Sequence, residues 1–267
     1  MKSIAKSLDP YPSTNFLQSL QGKVDRYNEE IGTLKGNDCQ VCKNKGYIMI
    51  LDEEYTALKE CECLGARKSK QLIEKSGLKK LIQEYTFEKF NASETWQRVI
   101  KDKALEFVQD KQPHWFFIGG QVGAGKTHIC TAIVNELMQQ GHEALYMLWR
   151  DEIMKLKANV MEGSEYAQAI EAFKTKKVLY IDDLFKSERG KLPTTSDINI
   201  AFEILNARYM NPDLITILSS EKILKEILGI DEAIGSRIFQ RVGSYILELN
   251  KNPKMNMRLR ERKQAHE

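Results

Sequence analysis

Apolar positions change their spacing twice along the chain. Near the start, "NFLQSLQGKVDRYNEEIGTL" places Phe16, Leu17, Leu20, Val24, Tyr27 and Ile31 three and four residues apart. This predicts a helix with one apolar stripe. The stripe either packs within its own small domain or meets a partner. Further on, "GYIMILDEEYTALKE" starts as a strand and turns at its acidic centre. Residues 64–85, "LGARKSKQLIEKSGLKKLIQEY", are charged and predict a helical connector.

From residue 113 the pattern alternates. "HWFFIG", "EALYMLW", "KVLYIDD", "LITILSS" and "YILEL" read as five strands. Between them lie helical stretches. "KTHICTAIVNELMQQG" puts Ile129, Ile133 and Leu137 on one face, with Gly141 placed to end the helix. "DEIMKLKANVMEGSEYAQAIEAFKT" reads as one helix. "SDINIAFEILNARYMN" opens near Ser196, shows Ile198, Phe202, Leu205 and Tyr209 on one side, and is stopped by Pro212. Strands separated by helices predict an α/β fold with a parallel five-stranded sheet.

Composition adds limits. A chain of 267 residues has room for one ordinary domain and a smaller one. Apolar residues at 42 % and charged residues at 29 % fit a globular protein. A formal charge of +3 is too small to imply nucleic acid, so any basic binding surface must be local. No apolar run reaches the roughly 18 residues of a membrane span. "MKSIAKSLDPYPSTNF" lacks the apolar stretch of a secretory signal. A cytoplasmic, thiol-reducing setting is therefore expected.

Four of the five cysteines fall within residues 39–63, as Cys39-x-x-Cys42 and Cys61-x-Cys63. Two close pairs joined by a hairpin can surround one tetrahedral Zn²⁺. Redox-active thiols are the other reading. Four thiolate ligands leave no open position, so the expected role of zinc is structural: it replaces a core too short to form alone. Cys130 reads as a small buried residue.

The stretch "GGQVGAGKTH" follows a predicted strand and opens a predicted helix, and residues 120–127 fit G-x-x-x-x-G-K-[ST]. Gly120, Gly123 and Gly125 permit backbone angles closed to other residues and let amides approach phosphate oxygens. The helix start directs its positive end at the same anion. Ala124 and His128 complete the predicted cradle for ATP or ADP, with Lys126 for the β- and γ-phosphates and Thr127 for Mg²⁺. Asp182 and Asp183 close a buried-strand pattern, where open α/β sheets bind ligands. Asp182 is the expected Mg²⁺ partner and Asp183 the residue that polarises water. In "GIDEAIGSRIFQR", Arg237, read as opening a helix, is preferred to Arg241 as an arginine finger supplied to a neighbouring subunit.

Together the cysteine module, "SGL", "TFEKF", "GQVGAGKTH", "VLYIDDLF" and "IGSRIFQR" resemble the replicative helicase loaders of the DnaC/DnaI type, which are AAA+ ATPases. The resemblance spans about residues 35–250. It implies a P-loop AAA+ core over residues 86–267, a connector at 66–85, and an N-terminal zinc domain at 1–65 that grips a hexameric replicative DNA helicase. It further implies single-stranded DNA as a ligand, self-association through the ATPase domain, and the nucleotide roles already given to Lys126, Thr127, Asp182, Asp183 and Arg237. The ending "YILELNKNPKMNMRLR" is similar to the family's short terminus without a helical lid.

One position departs from that pattern. Glu221 stands where relatives carry a polar sensor asparagine, and its charge would repel a γ-phosphate unless it turns away or pairs. Ser220 is the alternative neutral donor, and slow hydrolysis is expected. For DNA, the candidate contacts are Lys155, Lys157, Lys186, Arg189 and Lys191, with Trp149 and Tyr166 for stacking. In the tail the candidates are Lys254, Arg258, Arg260, Arg262 and Lys263. The alternatives to a loader are a transposition-helper ATPase of the IstB type and an adaptor that holds ATP without hydrolysing it.

Overall fold

The protein is described by a computed structural model over residues 14–35, 38–53, 55–73, 79–112, 114–158, 163–187 and 191–259. It divides into two compact units, Met1–Arg67 and Lys68–Glu267.

In the first unit, helix α1 (Thr14–Glu29) packs on a hairpin of strands β1 (Tyr47–Asp52) and β2 (Tyr55–Glu60), which pair antiparallel. Helix α2 (Cys63–Ile73) follows. The apolar stripe of α1 is only partly used. Val24 is buried and Leu17, Leu20 and Tyr27 are half-buried, whereas Phe16 is exposed and Ile31, beyond the helix end, is 83 % exposed. The polar residue Asn28 fixes the helix to the hairpin. Its amide donates to the Met49 carbonyl at 2.8 Å and accepts from the Met49 N–H at 2.9 Å. Lys45 donates to the carbonyls of Tyr27 and Glu30 at the C-terminal end of α1, where backbone oxygens lack helical partners.

The second unit opens with α3 (Lys79–Glu84) and α4 (Thr95–Gln109). It continues as β3 (Trp115–Gly120), α5 (Lys126–Gln139), β4 (Ala144–Leu148), α6 (Trp149–Ala158), α7 (Gly163–Thr175) and β5 (Val178–Asp182). It ends with α8 (Thr195–Met210), β6 (Ile215–Ser220), α9 (Leu224–Ile230), α10 (Glu232–Val242) and β7 (Ile246–Leu249). The sheet is parallel throughout, in the order β4-β5-β6-β3-β7. It is the expected α/β sheet, with the loop after β3 at its C-terminal edge. Strands β3, β5 and β6 are buried at every position, as fits strands covered on both faces.

Three local expectations change. The single helix read across residues 151–175 is two, α6 and α7, and α6 takes Trp149 from the end of the strand. Helix α10 starts at Glu232, capped by the Asp231 carboxylate accepting from the Ile234 N–H, so Arg237 lies in its middle and does not open it. On α8 the buried face is Ile200, Ala201, Ile204, Leu205 and Arg208; Ile198, Phe202 and Tyr209 are only partly covered.

Arg208 is fully buried. Its guanidinium donates to Thr216 Oγ1 at 2.8 Å and to the carbonyls of Phe173 (3.0 Å), Lys176 (2.8 Å) and Ile215 (2.6 Å). It thus ties the end of α7 and the start of β6 to α8. Burial, with a smaller contribution from the Arg241 charge, lowers its pKa to about 9, so it is still charged at neutral pH. Arg208→Ala strips these carbonyls of their donor and leaves a hole. It is expected to destabilise the second unit by about 3–5 kcal/mol, read as a lower urea midpoint at unchanged slope.

Candidate nucleotide site and cysteine cluster

The backbone of the loop after β3 follows from its glycines. Gly120, Gly123 and Gly125 have φ of +99°, +76° and +82°. A Cβ at Gly120 would lie 2.1 Å from the Leu249 carbonyl oxygen, and one at Gly123 would lie 2.2 Å from Asn256 Oδ1. At Gly120 the obstacle is backbone and leaves no room for a side chain; at Gly123 the positive φ strains any side chain and Asn256 would have to move. Beside this loop lies a cleft of about 240 Å³. Gly123, Gly125, Lys126, Thr127, Asp183, Lys186 and Glu221 line one part of it. Tyr85, His128, Met257 and Arg258 also line it.

Lys126 is buried and donates to the carbonyls of Gly120 at 3.0 Å and Gln121 at 2.7 Å. Burial lowers its pKa, opposed by the nearby carboxylates of Asp183, Glu221 and Asp182. Ala124 is buried in the loop. His128 stacks on Tyr85 with ring centroids 4.6 Å apart and meets Phe90 edge-on at 5.2 Å. Its Nε2 lies 2.9 Å from the Thr86 carbonyl, so Nε2 carries the hydrogen, and burial holds its pKa below the usual histidine value.

Asp182, at the end of β5, is buried and gathers four hydroxyl donors. These are Tyr180 (2.7 Å), Tyr146 (3.0 Å), Thr127 (3.3 Å) and Ser219. Burial, and then the Asp182 charge, push both tyrosine pKa values upward, so both stay protonated as donors. Asp183 occupies the left-handed region at φ +58°. Its N–H donates to Ser219 Oγ at 3.0 Å and its carboxylate pairs with Lys186 at 2.7 Å. Lys186 also holds Glu221 at 2.9 Å. Burial lowers the Lys186 pKa, but the two carboxylates outweigh it and the net shift is upward. The Glu221 charge, awkward beside a triphosphate, is thus matched by a lysine. Ser220 turns its hydroxyl away to the Leu184 carbonyl, 2.8 Å distant.

Arg237 does not line this cleft. It donates to Asn206 Oδ1 at 3.0 Å and to the Ala233 carbonyl at 2.8 Å, over the rings of Phe202 and Tyr209. Among the DNA candidates, Trp149 is 1 % exposed, packed edge-on to Phe185, and offers no face to a base. Tyr166 bonds Glu203, Lys155 pairs with Glu152, and Lys157 pairs with Asp197. Arg189, Arg260, Arg262 and Lys263 lie outside the described residues, as does "SGL" at 76–78.

In the first unit, the sulfurs of Cys39, Cys42, Cys61 and Cys63 all lie within 4.8 Å of one another. Cys39 and Cys61 are 3.7 Å apart and Cys42 and Cys63 are 3.4 Å apart. Tetrahedral thiolates about 2.3 Å from one metal need spacings of this order, so the set fits a zinc ion. Burial raises the Cys63 thiol to about 12 and raises Cys61 less. At Cys42 burial also acts upward, but the Gly46 N–H and the neighbouring thiols outweigh it and bring the value to about 7.

Several site residues carry no signal in the sequence reading, namely Tyr85, Tyr146, Tyr180, Ser219 and Met257. The clue to Tyr85 is its place just before "TFEKF". Tyr146 and Tyr180 sit inside strand patterns that read simply as apolar.

Residues 33–265 match the family model described as IstB-like ATP binding protein. Phage-like element PBSX protein XkdC of Bacillus subtilis is 30 % identical over 224 residues, which are 79 % of this chain and 81 % of that protein. The AMPPCP-bound DnaA of Aquifex aeolicus superposes with a TM-score of 0.52 at 23 % identity, over 68 % of this chain and 55 % of that one. A DnaC helicase loader superposes at 0.53 and 17 % identity, over 64 % of this chain and 98 % of that one. At these identities the two structures share its fold. Among the described residues no helix is long and apolar enough to cross a membrane.

Proposed function

The chain belongs to the IstB-like ATP-binding protein family, and on that premise we propose that it is an AAA+ ATPase that helps place a hexameric replicative helicase on single-stranded DNA. The supporting observation is the pairing of two sites: a four-thiol cluster in Met1–Arg67 and a phosphate-loop cleft in Lys68–Glu267. The first unit, bound to structural zinc, grips the helicase. The second binds ATP, associates with copies of itself, and meets DNA. The setting is cytoplasmic, residues 66–85 act as connector, and residues 86–267 carry the ATPase.

In the cleft, the loop amides and the Lys126 ammonium receive the β- and γ-phosphates. Thr127 and Asp182 would hold Mg²⁺, which when bound neutralises charge on the phosphate oxygens. Asp183 orients the attacking water. Its ion pair with Lys186 opposes that role, because the ammonium occupies a carboxylate oxygen that the water would need. Basal turnover is therefore slow. Lys126→Ala is expected to weaken ATP binding by roughly 10- to 100-fold, the worth of one charge-assisted hydrogen-bonding group, measured by titration calorimetry.

Co-purification with a hexameric replicative helicase tests the loader reading. Capture is expected to survive Lys126→Ala and to be lost when residues 1–65 are removed. DNA-stimulated ATP turnover then separates the loader from a non-hydrolysing adaptor, which shows none. The IstB-like family match favours a second reading, a transposition helper. That reading predicts capture of a transposase and no capture of the helicase.

A further inference from the structure

Residues 250–259, which follow β7, stay against the molecule. They run back along the phosphate loop. The Gln121 N–H donates to the Leu249 carbonyl at 2.9 Å, and the Gln121 side-chain oxygen accepts from the Asn252 N–H at 2.7 Å. A 3₁₀ turn, Pro253–Met255, follows, and the Met257 N–H donates to the Gly123 carbonyl at 3.0 Å. Asn256 lies against Gly123, where its Oδ1 takes the space of a missing Cβ. The Met257 methyl lies against Gly125, 2.9 Å from where a Cβ would stand, next to the Phe90 ring. Gln97 on α4 donates to the Met257 sulfur at 3.0 Å. Two of the loop's three glycines are therefore approached by this one segment.

Two residues of the same segment line the cleft, Met257 and Arg258. Among the described residues the Arg258 guanidinium makes no hydrogen bond or ion pair, and Arg258 lines the cleft together with Lys126, Thr127 and Asp183. Asn256 Oδ1 is buried and meets no donor among the described residues.

Taking the cleft as the ATP site proposed above, we propose that residues 252–258 form a wall of that site, with Arg258 binding a phosphate of the nucleotide and Met257 packing against it. A guanidinium exposed beside a phosphate cradle is suited to bidentate contact with phosphate oxygens. The wall is held by main-chain bonds to the loop itself, so phosphate seated in the loop and the position of Arg258 are coupled. Arg258 therefore belongs to nucleotide recognition and not to a tail that meets DNA.

The test compares the full-length wild type with Arg258→Ala, Arg258→Lys and Lys126→Ala, using fluorescent ATP and, as a competitor, adenosine. Arg258→Ala is expected to weaken ATP roughly ten- to a hundred-fold and adenosine less than two-fold, with partial recovery in Arg258→Lys. Because Arg258 is exposed, its thermal midpoint should equal the wild type's. ATP should also slow tryptic cleavage after Lys254 and Arg258 in the wild type. Unchanged ATP affinity in Arg258→Ala, with affinity lost in Lys126→Ala, overturns the assignment and leaves the ATP site standing. Equal weakening of ATP and adenosine also overturns it, since the effect then does not involve phosphate. A wild type that binds no ATP overturns the underlying nucleotide reading and this assignment with it.

Discussion

Removal of zinc from the four-cysteine cluster is expected to unfold the first unit while the second keeps its structure. The buried apolar residues described in this unit are few: Val24, Cys42, Cys61, Cys63 and Ala66. Three of these five are sulfur ligands of the proposed ion. Apart from them the hairpin is held mainly by Asn28 and by helix α1. Metal binding to such sites supplies about 10–16 kcal/mol of folding free energy, more than a unit of this size can replace. Circular dichroism with and without a strong chelator reads the loss, and zinc addition should restore it at one ion per chain. Cys63→Ser should behave as the stripped protein does. A first unit that keeps its cooperative transition after complete metal removal would show that the thiols do not depend on zinc.

The second large effect belongs to Arg237. Substitution by alanine is expected to lower ATP turnover of the assembled protein by about 10³–10⁵, with the ATP affinity of the single chain unchanged. The reason is positional. Arg237 is absent from the lining of its own chain's cleft, so any part it takes in hydrolysis is played in a neighbour's. In the isolated chain its guanidinium rests on Phe202 and Tyr209 and bonds Asn206, contacts worth about 1–2 kcal/mol that must be given up on assembly. Mixing distinguishes a finger from a structural arginine. At ATP concentrations that do not saturate Lys126→Ala, each variant alone is expected to turn over little ATP, but interfaces that join an intact cleft to an intact arginine should recover part of the turnover. Normal turnover by Arg237→Ala alone would reassign the residue to packing.

The sheet was legible because each strand is a short apolar run bounded by turn residues, and the glycine loop because its chemistry depends on neighbours in sequence. The same holds for the cysteines, whose pairs are local. What escaped was set by distance along the chain. Met257 and Arg258 reach the loop from more than a hundred residues away, and no local spacing marks them. Trp149 reads as a stacking platform by type, yet packing on Phe185 removes it from the surface. Arg208 lies in a helical stretch whose apolar periodicity passes over it. In the fold it donates to carbonyls at the end of α7 and the start of β6. Periodicity counts apolar positions and cannot see a cation whose partners are backbone oxygens.

The crowd of hydroxyls on Asp182 has a mechanical meaning. They come from β4, β5, β6 and the first turn of α5, so one carboxylate is the knot where three strands and a helix are tied. Three of the hydroxyls meet Oδ1 and only Tyr146 meets Oδ2, so a ligand that claims Oδ2 comes up against Tyr146 alone, and a shift of that hydroxyl would carry to its own strand. Through Tyr146 that strand is β4, the sheet's outer edge, which passes directly into α6. Arrival of a ligand at the sheet's middle would by this route be felt at its rim.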